Sequence, residues 1–222
     1  MANAATMRLV YENAKALFRA AGVDVERAYL TQSKIRSERQ LNTTTNNYQF
    51  SFLQQDGVPS SPTEVKLNQA YAALIYELGF FIAEPSSATD NSYGLFTFPD
   101  PIVFNATNEA GALNQLYNGS IQLKINGQDI LVNYPMEQFR VVPNRQASVA
   151  ATTPPPNAVS TEFHGDQVFH PIEPNIVLYG NWKFDFSLVL PGALAAVGAN
   201  TKAIFIAKIL LAQNAVLIGT GK

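Results

Sequence analysis

The C-terminal stretch "AIFIAKILLAQNAVLIG", Ala203 to Gly219, limits the possible folds more than any other part of the chain. Lys208, Gln213 and Asn214 interrupt it. It therefore falls short of the roughly 20 mostly apolar residues that a membrane-spanning helix needs. It reads instead as a strand from Lys202 to Ala212. Ala203, Phe205, Ala207, Ile209 and Leu211 share one face, and Ile204, Ile206 and Leu210 share the other with Lys208. A strand that is apolar on both faces has to be covered on both. One face belongs to a sandwich core. The second needs the N-terminal helix, another sheet or another subunit, and Ile204, Ile206 and Leu210 are assigned to a subunit contact.

The rest of the chain can supply such a core without outside help. Its 222 residues suit one large domain or a domain with an appendage, which needs neither disulfide nor metal for stability on grounds of size. Hydrophobic residues make up 47%, but charged residues only 14%, well under the usual quarter. A surface so poor in charge suits a protein partly covered by neighbours, or an extracellular polar β-protein. The net charge of −2 creates no global field toward nucleic acid. With no cysteine there is no disulfide, thiolate zinc site or thiol nucleophile. The N-terminus, "MANAATMRLVYENAKALFRAAG", lacks the basic segment and continuous apolar run of a signal peptide.

That N-terminal stretch predicts a helix over residues 4–21. Met7, Tyr11 and Phe18 lie on its apolar stripe and are assigned to a subunit interface. The following "ERAYLTQSKIRSERQ", residues 26–40, is the most basic piece. It is expected to be a polar connector or arm, with Arg27, Lys34, Arg36 and Arg39 as candidate contacts to packaged nucleic acid or an acidic partner. The organisation expected is thus a helix and arm over 1–41 and a sandwich over 42–222.

From residue 48 the pattern turns to β. Tyr48, Phe50 and Phe52 alternate with Gln49 and Ser51. Residues 65–83 are ambiguous. Leu67, Ala70, Tyr71, Leu74, Ile75 and Leu78 keep helical spacing, yet "GFFIAEP" is strand-like, and the preferred reading is a strand ending near Ala83. Pro99 and Pro101 break residues 93–104 into short edge pieces. A short helix is expected over Glu109–Tyr117. "SIQLKINGQDILVNYP" predicts a tight hairpin turning at Asn126-Gly127. Asn144–Gln167 reads as a long polar loop, and two more strands flank Gly180-Asn181. Trp182 leads an apolar strand face and is expected in the core. Seven or eight strands with Gly, Pro and Asn turns point to a mainly β fold. It is an antiparallel β-sandwich, jelly-roll-like, with an N-terminal amphipathic helix and one short internal helix.

Candidate chemistry is sparse. Two histidines lie close together in "TEFHGDQVFHPIEP", so His164, Asp166 and His170 are the candidate metal ligands. Their spacing, with proline directly after His170, is that of loop residues, and no metal or other cofactor is assigned. "IGTGK" lacks the spacing and following helix of a phosphate loop, and no G-x-S-x-G elbow occurs. No catalytic residue is assigned and no enzymatic activity is expected.

Five pieces carry a family resemblance: "ELGFFIAEP" from Glu77, "LFTFPDPIVF" from Leu95, "LYNGSIQLKING" from Leu116, "FHPIEPNIVLYG" from Phe169 and "FSLVLPGAL" from Phe186. In texture and order they resemble jelly-roll-type virion structural proteins, loosely those of tailed phages of Bacteroidetes hosts. The resemblance implies self-assembly into a capsid or capsid-associated layer, with copies of itself and other virion proteins as partners and the virion as location. It implies no catalysis and transfers no site residue. Two other classes compete with it. One is a carbohydrate- or cell-surface-binding sandwich using loop aromatics such as Tyr93. The other is a cupin-like metalloenzyme using His164 and His170.

Overall fold

A computed structural model describes residues 4–57, 59, 61–98, 110–141 and 168–218, with side chains from residue 11 in the first helix and from 112 in the second. In chain order the elements are α1 (Ala4–Ala20), β1 (Val23–Asp24), β2 (Tyr29–Gln40), β3 (Asn47–Phe50) and β4 (Ala72–Ala83). There follow α2 (Ala110–Tyr117), β5 (Ser120–Ile125), β6 (Gln128–Pro135), β7 (Phe169–Tyr179), β8 (Phe184–Val189), β9 (Lys202–Gln213) and β10 (Val216–Leu217). Short 3₁₀ turns occupy Gln54–Asp56 and Met136–Phe139.

Eight strands form two antiparallel sheets, ordered β2-β9-β4-β7 and β3-β8-β5-β6; β1 and β10 make a separate small ribbon. Strands pair as β2 with β9, β3 with β8, β4 with β7 and β5 with β6. That is one long hairpin folded over on itself, the strand order of a jelly roll. Its innermost turn has positive φ at both Asn126 (51°) and Gly127 (82°), so the expected Asn-Gly hairpin is present.

Period-two alternation builds the core between the sheets. Ile35, Phe80, Phe205 and Ile209 from the first sheet meet Tyr48, Phe50, Leu123 and Phe186 from the second. Phe205 sits at its centre, with ring centroids 4.8 Å from Phe50, 4.9 Å from Phe80 and 4.9 Å from Phe186. Gly180 packs so closely on the Asn68–Gln69 backbone that an added Cβ would lie 2.1 Å from the Asn68 carbonyl oxygen. Trp182 precedes β8 and is half-buried, packed against the core at the turn after β7.

Two expectations need correction. Residues 26–40 are not an arm: Tyr29–Gln40 is a full strand, bonded to β9 from Tyr29↔Gln213 to Gln40↔Lys202 without a register shift. A boundary between 41 and 42 would therefore cut β2 from the sheet that holds it. The strand expected to end near Ala83 is present as β4, and the helix-like step from Ile75 to Leu78 within it comes from a bulge. Register shifts between Ile75 and Glu77, so inward positions move from Ala73 and Ile75 to Leu78 and Phe80. The inward step from 75 to 78 mimics a helix face.

The second correction concerns the second face of β9. Leu210 is buried with Leu74 beneath Ala14 and Phe18 of α1. Ile204 and Ile206 are buried with Phe81 and Val168, and Tyr93, Leu95 and Phe169 pack over them. The chain itself buries Phe18, Ile204, Ile206 and Leu210, the cover that the expectation had given to another subunit. Tyr11 packs half-buried at the rim of the α1 cluster. The Met7 side chain lies outside the described residues.

Candidate functional site

Among the described residues no helix lies on the outer face of the second sheet, and that face is polar along β3, β8 and β5. Register aligns Gln49 with Ser187 and Ser187 with Gln122; one row along, Asp185 faces Lys124. These side chains floor a shallow groove of about 490 Å³, with Arg39 and Asp56 at its margins. Phe50 and Phe184 also line it, but both are buried, so no exposed ring is offered for stacking. The Arg39 guanidinium donates to the Gln49 carbonyl. Burial pushes the Asp56 carboxyl up. The Ser51 hydroxyl and the Lys66 charge oppose that rise, and the Asp185 charge adds to it. Amides, hydroxyls, a guanidinium and carboxylates on one open face suit recognition of a polar, many-hydroxyl ligand.

A second polar group lies beneath the surface. Glu38 on β2 is 2% exposed. Its carboxylate accepts from Arg36 Nε (2.9 Å), Tyr93 Oη (2.8 Å) and Lys202 Nζ (3.1 Å), and from Thr63 Oγ1. The Glu38 backbone N–H donates to Glu64 (2.9 Å). Burial pushes Glu38 up, but the Thr63 and Tyr93 hydrogen bonds, the Arg36 charge and the Lys202 bond outweigh it and hold the carboxyl below the usual range. Arg36 and Lys202 also lie over the Tyr93 ring, 5.7 and 5.0 Å from its centroid. This cluster ties β2 and β9 to the segments carrying Thr63 and Tyr93. Its role is structural, and it removes Tyr93 as a free loop aromatic.

The four basic candidates are therefore not one surface. Arg27 and Lys34 are exposed, Arg39 borders the groove and Arg36 is committed to Glu38. His170 lies on β7, edge-on to Phe139 at 5.2 Å, with a buried Nε2 that has no hydrogen-bond partner. Burial holds its pKa below the usual value. His164 and Asp166 lie outside the described residues. Among the described residues no three His, Asp or Glu side chains gather as a metal site.

Besides Leu17 on α1 and Val65, the exposed large apolar side chains among the described residues fall in two groups. Tyr29 (76%), Val216, Leu217 and Ile218 lie at the first-sheet end where β2 begins and β9 finishes; Ile130 and Val132 lie on β6. No described helix is long and apolar enough to cross a membrane.

The sequence missed the Glu38 cluster and the groove. A signal for the first exists: Arg36 and Glu38 stand two apart, which puts opposite charges on one face of a strand but not of a helix. The groove residues come from four segments that only the sheet register brings together. No protein-family model, no curated protein and no solved structure matches the chain.

Proposed function

We propose that the chain is a non-enzymatic structural protein that assembles with copies of itself into a shell, as a virion capsid or capsid-associated subunit. The observation that carries the proposal is the jelly-roll strand order, β2-β9-β4-β7 against β3-β8-β5-β6. This architecture recurs in viral capsids, lectins and cupins, so it narrows the class without fixing the function. What favours the shell within that group is the aromatic filling between the sheets around Phe205, where a cupin-type centre would need space and ligands. The low charged fraction, 14%, adds weight. Light scattering coupled to size exclusion, with negative-stain microscopy, tests the proposal. Particles or discrete oligomers are expected. A 24.2 kDa monomer at every concentration would count against assembly.

A second reading, a carbohydrate-binding module, is favoured by the groove along Gln49, Ser187 and Gln122. Binding on a glycan array that disappears in Gln49→Ala and Gln122→Ala would establish it. Loss on changing Tyr93 is not expected to be specific, because that hydroxyl is bound to Glu38.

A further inference from the structure

We infer that the exposed edge of β2, Tyr29 to Ile35, is a contact surface for the same edge of a second copy, joined as a continuous antiparallel sheet across a two-fold axis at Gln32. The inference rests on the assembly proposed above and names its contact.

Open sheets have edges, and edges invite pairing unless they are blunted. Each sheet here has two. Strand β7 carries Pro171 and Pro174, which cannot donate to a new ladder. Strand β6 holds two register shifts against β5 and a positive φ (52°) at Asn133, so its edge is kinked. Strand β3 has only four residues. Strand β2 has twelve, in unbroken register with β9.

Only its later half is covered. Arg36 exchanges both backbone bonds with Val65, at 2.8 and 2.9 Å, and the Glu38 N–H is taken by Glu64. Outward-facing backbone groups alternate along a strand. The same series therefore continues back through Lys34, Gln32 and Leu30. Among the described residues these three have no partner on that side. After Val65 the chain turns off to bond at Phe52 and Gln54 through Leu67, leaving the edge open.

The free segment is self-complementary. Its ends are fixed by the start of β2 at Tyr29 and by Val65 opposite Arg36, so its midpoint is Gln32. An antiparallel copy in that register pairs Gln32 with Gln32, Leu30 with Lys34 and Thr31 with Ser33. Lys34, the one charge between Tyr29 and Ile35, meets no like charge. Exposed Tyr29 and the Val216–Ile218 patch border the joint and can add apolar contact. A second copy fits better than an unrelated peptide, because both strands then present the same three open residues in matching order.

Two substitutions test this. Gln32→Pro removes an N–H that faces away from β9, so no bond within the sheet is lost, while the centre of the joint loses a donor. Gln32→Cys introduces a lone thiol into a chain that has none. Hydrogen-bonded antiparallel pairs hold Cα atoms about 5.5 Å apart, within disulfide range. The expected result is an associating wild type and a Gln32→Pro variant with unchanged melting. The variant needs about tenfold or more higher concentration to associate. Gln32→Cys should give a covalent dimer under mild oxidation. If wild type associates but Gln32→Pro associates equally and Gln32→Cys does not cross-link, the β2 joint is overturned and assembly stands. A wild type that stays monomeric, with no cross-link, overturns both.

Discussion

On β9, Leu210 and Ile206 point away from the sandwich and are buried, under α1 and beneath Phe169 respectively. On β5, Gln122 and Lys124 also point away from the sandwich, but no described helix or sheet covers them: Gln122 is half-buried and Lys124 exposed. The two sheets share one core and differ in what lies outside it. The first is a middle layer, apolar on both sides because the chain supplies its own cover. The second is an ordinary outer layer, apolar within and polar without. A doubly apolar strand reports a missing layer, and that layer can come from the same chain. Association then falls to the edges.

Several substitutions can break that comparison. Phe18→Ala empties a fully buried site between α1 and the first sheet. It should cost about 3–5 kcal/mol in urea unfolding of the dilute protein. A loss seen only in association, with unfolding unchanged, would place α1 on a neighbour instead. Glu38→Ala leaves Arg36 and Lys202 facing each other without their shared carboxylate. The expected cost is about 3 kcal/mol, with faster proteolysis in the segment carrying Tyr93.

Mild acid should act on the first sheet through His170. Its folded-state pKa lies below the ordinary 6.5, so the unfolded chain binds the proton more readily. That stability is present above the unfolded value and is lost as pH falls below it. Melting temperature should therefore drop between about pH 7 and 5, and less so in His170→Phe. An equal drop in both proteins would assign the effect elsewhere. Glu38 adds a second loss at lower pH. Its carboxyl is held below the usual range, so its contribution is lost as pH falls below the unfolded carboxylate value. The smallest effect belongs to the second sheet. Gln122→Ala and Lys124→Ala should shift stability by no more than about 0.5 kcal/mol. A larger loss in either would mean that this face is also a packed layer.

Much of this architecture was legible because single strands announce themselves. Tyr48-Phe50-Phe52 alternation, the Asn126-Gly127 turn and the C-terminal apolar run each need only local physics. Strand β2 was hidden because its large inward side chain, Ile35, stands nearly alone, and its buried acid, Glu38, looks like surface charge until its partners are known. The β4 bulge gave an otherwise readable strand a partly helical spacing and made its stretch ambiguous. The cover over β9 could not be chosen from sequence at all, since helix, sheet and subunit bury the same side chains. The groove and the open β2 edge are products of register and strand order. Neither has a linear signature.

Hydrogen exchange compared between dilute and concentrated protein tests the central claim most directly: the chain covers its own first sheet and meets its copies through β2. Deuterium uptake across residues 29–35 should fall on concentration, while uptake in α1 and β9 stays the same. Protection that appears in α1 and leaves residues 29–35 unchanged would contradict it, because the helix would then be seated on a neighbouring copy.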